Sequence, residues 1–213
     1  MDLNKSRRSH LGSADGRLDV HEGVVTVDAL KVNKTLSNLQ LDHNSITDAG
    51  AIVLSHSLRV NKTLQVLNLF KCRIGDRGIE ALAEALETNI TLKEFNIGQN
   101  QITDYDENVL AIALTEKSTM LEHVSISFNE ITDVGAAAIA HAFSLNKSVR
   151  YFDISYNNIS HEGFKNILQP LKINTTLTTL KVTQFSRLMK EYEFEEAVAD
   201  LILFNKAIDV EYL

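Results

Sequence analysis

One cysteine, one proline and no tryptophan occur in the 213 residues. A single cysteine cannot form an intramolecular disulfide, so a disulfide-stapled scaffold is excluded. A single proline leaves no room for a proline-rich linker or a polyproline ligand. Basic excess is also missing: the formal net charge is −7. A nucleic-acid binder would normally carry a basic face, so no nucleic-acid partner is expected. No long apolar run is present, so the sequence predicts neither a signal peptide nor a membrane span, and no membrane partner. Met1 to Ser13 is polar and basic. The expected location is the cytoplasm, or a host cytosol for a bacterial protein delivered without a cleaved signal.

What is present is a repeat. A leading apolar residue falls at Leu36, Leu64, Leu92, Leu121, Val149 and Leu177, with spacings of 28, 28, 29, 28 and 28. An apolar pair follows each time: Leu39/Leu41, Leu67/Leu69, Phe95/Ile97, Val124/Ile126, Phe152/Ile154 and Leu180/Val182. A ladder position then holds Asn44, Cys72, Asn100, Asn129 and Asn157, and an isoleucine sits two residues beyond. The alternating pair is a strand whose two apolar side chains point one way. Leu54/Leu58, Leu82/Leu86 and Leu110/Leu114 recur at helical spacing. Each unit therefore reads as strand, turn, helix. Thr47 or Asp48, Asp76 and Asp133 stand where they can cap the helix of their own repeat. Gly50, Gly78, Gly135 and Gly163 lie where a side chain would intrude between helix and strand. Asn61, Asn89, Asn146 and Asn174 end the helices, and the expectation is a left-handed asparagine there.

The organisation expected is one domain. Residues 1–19 read as a flexible tail, 20–35 as an N-terminal cap with a helix from Gly23 to Val32, and 36–182 as repeats. Residues 183–213 read as a C-terminal cap or the start of a further repeat, with an acidic helix over Lys190–Phe204. The third repeat has Asp106 in place of glycine and one residue inserted near Lys117, so a bulge is expected at both ends of its helix. Asp104, Asp106 and Glu107 lack the ligand spacing and glycine turn of a calcium loop and read as acidic helix-start residues.

The phrases Asn-x-Ile-Thr-Asp-x-Gly and Asn-Lys-Thr-Leu, the unit length and the Asn/Cys ladder resemble the ribonuclease-inhibitor-like class of leucine-rich repeats over about Val20–Val182. The resemblance implies an α/β solenoid, with parallel strands on the concave face and helices on the convex one. It also implies a non-enzymatic module that binds a protein partner. The Ran GTPase-activating protein belongs to the same class, so GTPase activation is an alternative, with Arg73 and Arg77 as the phosphate-contacting candidates. A structural spacer within a larger repeat assembly is a third reading.

Catalytic signatures are missing. There is no GxxxxGK[ST], HExxH or CxxC, and the seven histidines do not pair at ligand spacing. No metal or other cofactor is expected. Cys72 reads as a small buried ladder residue rather than a nucleophile. Seven N-x-[ST] sequons occur, and five share the helix-to-strand turn, so they read as turn chemistry. Strand residues between the inward pair point out along the sheet face. The candidate partner-binding set on and beside that face is Phe70, Lys71, His123, Phe128, Tyr151 and Tyr156, expected to form one band on a monomer. Phe128, Tyr151 and Tyr156 come from adjacent repeats and are expected to share one patch.

Overall fold

The protein is described here from a computed structural model covering residues 9–10, 29–104, 109–115, 120–183 and 191–211. Strands and helices alternate along the chain. The strands are β1 (Ser9–His10), β2 (Asn38–Gln40), β3 (Val66–Asn68), β4 (Glu94–Asn96), β5 (His123–Ser125), β6 (Tyr151–Asp153), β7 (Thr179–Lys181) and β8 (Asp209–Glu211). They form one parallel sheet in sequence order. The helices are α1 (residues 29–32), α2 (Thr47–Val60), α3 (Asp76–Leu86), α4 (Val109–Thr115), α5 (Asp133–Leu145), α6 (His161–Leu171) and α7 (Glu191–Phe204). This is an α/β leucine-rich-repeat solenoid.

The register explains the stacking. Leu39, Leu67, Phe95, Val124, Phe152 and Leu180 face one another across neighbouring strands, and all are buried. Burying one such side chain stabilises the fold by about 1.5–3 kcal/mol. Phe143 of α5 meets Phe152 edge-on at 5.0 Å, which ties helix layer to sheet. No repeat could bury this surface alone; its neighbours complete it.

The sheet also takes in Ser9–His10, which pairs with Leu39–Gln40 inside the stretch expected as a tail. The remaining residues of 1–19, the start of the cap helix and both expected bulges of the third repeat lie outside the described residues. So does Lys190, and α7 otherwise follows the expected helix. Beyond it, β8 pairs with β7 as a further repeat strand would.

Two local expectations are corrected. The aspartates do not cap their own helices. Asp48 Oδ1 accepts from Gly75 N (2.6 Å) and Gly78 N (3.1 Å), at the start of the next repeat's helix. Asp76 accepts from Thr103, Asp104 from Thr132 and Gly135, and Asp133 from Ser160. Each carboxylate thus binds donors one repeat downstream, and at Gly78 and Gly135 these are orphan donors in a helix's first turn, where the positive helix end favours a carboxylate. The recurrent glycine is part of the same device. A Cβ on Gly78 would lie 2.7 Å from Asp48 Oδ1 and 2.5 Å from Ile74 Cγ2.

The helix-ending asparagines are not left-handed. Asn61 has φ −70° and ψ 134°, and Asn146 has φ −65° and ψ 137°. Their side chains do the work instead. Asn89 Nδ2 donates to Leu58 O (2.7 Å), while its Oδ1 accepts from Thr91 N (3.0 Å) and Leu92 N (2.8 Å). Asn61, Asn146, Asn174 and Asn205 reach back to the preceding repeat in the same way. The buried amide both ends one helix and launches the next strand.

Candidate interaction surface

The second asparagine ladder stands where the strands end. Asn100 Nδ2 donates to Leu69 O and Ile97 O, each at 2.9 Å, and Oδ1 accepts from Cys72 N and Ile74 N, each at 3.0 Å. Aiming those carbonyls at one amide demands a sharp reversal just before it. His43, Lys71, Gln99, Phe128 and Tyr156 hold that position, and all five have φ between 50° and 60°. None is glycine or asparagine. The left-handed region costs an L-residue about 1–2 kcal/mol, and for bulky side chains it is a clear outlier. The same reversal lifts these side chains onto the rim of the sheet face.

There the rings meet. Phe128 stacks on Tyr156 with centroids 3.9 Å apart and planes 9° from parallel. Phe70 meets Phe128 edge-on at 6.4 Å, and His43 lies 5.7 Å from Phe70. Phe70 and Phe128 are separated by a whole repeat. Gly98 makes the bridge possible: a Cβ there would sit 3.0 Å from Phe70 Cδ2 and from Ser127 Oγ. The result is a continuous aromatic ridge, with Phe128 42 % exposed.

The six candidate residues therefore separate. Phe70, Phe128 and Tyr156 form the ridge, with exposed Lys71 beside Phe70 in the chain. His123 and Tyr151 form a second group at the opposite end of their strands, with rings 6.0 Å apart. Tyr151 does not join Phe128 in one patch. The five residue steps from Tyr151 to Tyr156 span about 16 Å in extended chain, which adjacency of strands alone does not bridge. Four outward positions are also less open than the alternation suggests: Gly98, Ser127, Asp153 and Ser155 are buried. His43 is not among the six candidates; its register position, just before the ladder residue Asn44, is the signal the sequence carries.

The floor between the two groups is polar and acidic. Asp42, two residues beyond β2, and the outward strand positions Glu94, Asp209, Glu211 and the buried Asp153 stand against one ammonium, Lys181. The Tyr151 hydroxyl is pushed up to about 12, first by burial and then by the charges of Asp153 and Glu211. A hollow of about 190 Å³ opens among Val66, Asn68, Glu94, Asn96, His123 and Tyr151.

Cys72 is fully buried, and its thiol donates to Leu41 O at 3.1 Å. Burial pushes this thiol up to about 12, which keeps it protonated. Arg73 and Arg77 are exposed on the segment that leads into α3 and at its start. Among the described residues no group of three or more His, Cys, Asp or Glu side chains is placed to hold a metal ion. No described helix is long and apolar enough to cross a membrane.

A family profile described as Leucine Rich repeat matches residues 32–55, 60–83, 88–104, 117–140 and 145–168. Comparison with curated proteins gives no match. Among solved structures, the chain is similar to leiomodin-1 actin-binding site 2. The alignment has a TM-score of 0.50 and 18 % identity, and covers 89 % of this chain and 90 % of that one. At this identity the likeness is one of fold.

Proposed function

This chain belongs to the leucine-rich repeat family, and we propose that it is a non-enzymatic module that binds a protein partner through its concave sheet face. The exposed aromatic ridge carries this reading. Phe128 and Tyr156 occupy strained left-handed positions and stay at the surface rather than in the core. Apolar area stabilises a fold only when covered, at about 25 cal/mol per Å². A partner would cover it, and aromatic anchors of this kind dominate binding energy at interfaces. The solved domain similar in fold is titled an actin-binding site, which makes actin one partner to try.

The test is affinity capture from the native cell with wild type, Phe128→Asp and Tyr156→Asp. Ile173→Asp, at the opposite rim and 80 % exposed, is the control. Loss of the captured protein with both ridge variants and retention with the control is expected. Equal retention with all three would rule out the ridge.

A spacer role is the second reading. Ile202, Leu203 and Phe204 are exposed at the end of α7, as a face that stacks on another unit would be. Light scattering of the purified chain separates the two readings. Self-association that Leu203→Glu abolishes supports the spacer; a monomer at all concentrations removes it.

A further inference from the structure

The hollow on the concave floor is smaller than the roughly 300–1,000 Å³ of ordinary small-molecule pockets. At about 190 Å³ it has the scale of one large side chain. Its chemistry is specific. The rings of His123 and Tyr151 stand 6.0 Å apart, tilted by 33°, and make one side. Glu94, exposed at the first position of β4, is the register neighbour of His123. Asn68 and Asn96, register neighbours two residues further along β3 and β4, also line it. Carboxylate, aromatic faces and amides together suit a cationic side chain, which pairs with the acid and lies against the rings.

The surrounding charge points the same way. From the hollow toward β8 the exposed outward positions hold Asp209 and Glu211, with Lys181 alone opposing them; Asp153 is buried, and its Oδ1 accepts from Ser155 N. Lys71 and Arg73 stand off the sheet, beyond the end of β3. A basic chain would be drawn across β4 to β8 and kept from the corner where Lys71 and Arg73 stand.

We propose that the concave floor receives a basic, extended segment of the partner protein, and that one arginine or lysine of that segment seats in the hollow lined by Glu94, His123 and Tyr151. This rests on the concave-face reading and adds the sign of the partner's charge and the place of its anchor.

The test uses the full chain and fluorescein-labelled peptides of nine arginines or nine glutamates, read by anisotropy at about 0.15 M salt, where charges beyond about 8 Å are largely screened. The arginine peptide should bind and the glutamate peptide should not. Glu94→Gln should weaken binding about tenfold and Glu94→Lys should abolish it. Glu162→Gln, at an exposed residue in the first turn of α6, is the control for undirected attraction. Equal weakening by Glu94→Gln and Glu162→Gln, or no arginine binding, overturns the proposal. A captured partner that tolerates Glu94→Lys but is lost with Phe128→Asp would leave the concave reading standing and sink this one.

Discussion

The two rims of the solenoid solve one problem in different ways. Both carry a ladder of asparagines whose amides bridge successive repeats. At the helix-exit rim the backbone stays in ordinary conformations, and the residue before the asparagine is a plain aliphatic at Val60, Leu145 and Ile173. At the strand-exit rim the residue before the ladder position is left-handed, and its identity changes from His43 to Lys71, Gln99, Phe128 and Tyr156. This position is left-handed in each of the five described repeats that show it, and its side chain is different in each. The helix-exit rim is architecture; the strand-exit rim is where this chain becomes particular.

If both ladders are architectural, cutting either should hurt. Asn89→Ala leaves buried Leu58 O, Thr91 N and Leu92 N without that side chain and should cost about 3 kcal/mol. Asn100→Ala, less buried, should cost about 2 kcal/mol. Urea denaturation of each variant checks both.

Cys72 sharpens the comparison, because it is the one strand-exit ladder residue among the described repeats that titrates. Its folded-state value is raised from 9.0 to about 12. The thiol's contribution is therefore complete below pH 9 and is lost as pH rises toward 12. Stability should fall by about 2 kcal/mol by pH 10.5 in wild type. Cys72→Ala should flatten that slope until Tyr151 begins its own loss above about pH 10, toward its raised value of about 12.

The strain itself can be relieved. Lys71→Gly removes the left-handed penalty and should stabilise the fold by about 1 kcal/mol. A melting temperature unchanged or lowered would mean the position is not strained. On the other rim, Val60→Ser alters a half-exposed side chain with ordinary neighbours and should stay within about 0.5 kcal/mol.

Much of this is legible in the sequence. The spacing of Leu36, Leu39, Leu41 and Ile46 defines strand, turn and core, because alternation and close packing leave no other arrangement for them. The capping scheme was not readable. Asp48 stands two residues into its own helix, and its true partners are Gly75 and Gly78; a strict period makes local and next-repeat contacts look alike. Asparagine's general tolerance of left-handed geometry misled at Asn61, where hydrogen bonds to Leu30 O and Leu64 N hold an extended backbone. On the candidate surface, ring identities were legible but their grouping was not. Tyr151 and Tyr156 belong to one repeat yet to opposite ends of its strand, and the link between Phe70 and Phe128 depends on the missing side chain of Gly98.

The central claim is that the strand-exit rings serve a partner rather than the fold. It is tested most directly by Phe128→Ala, scored on the same preparation for melting temperature and for partner captured from the native cell. The account predicts a binding loss of about 2 kcal/mol, roughly thirtyfold, with a melting temperature within a few degrees of wild type. Binding that falls only as far as the melting temperature does would show that the ring belongs to the core.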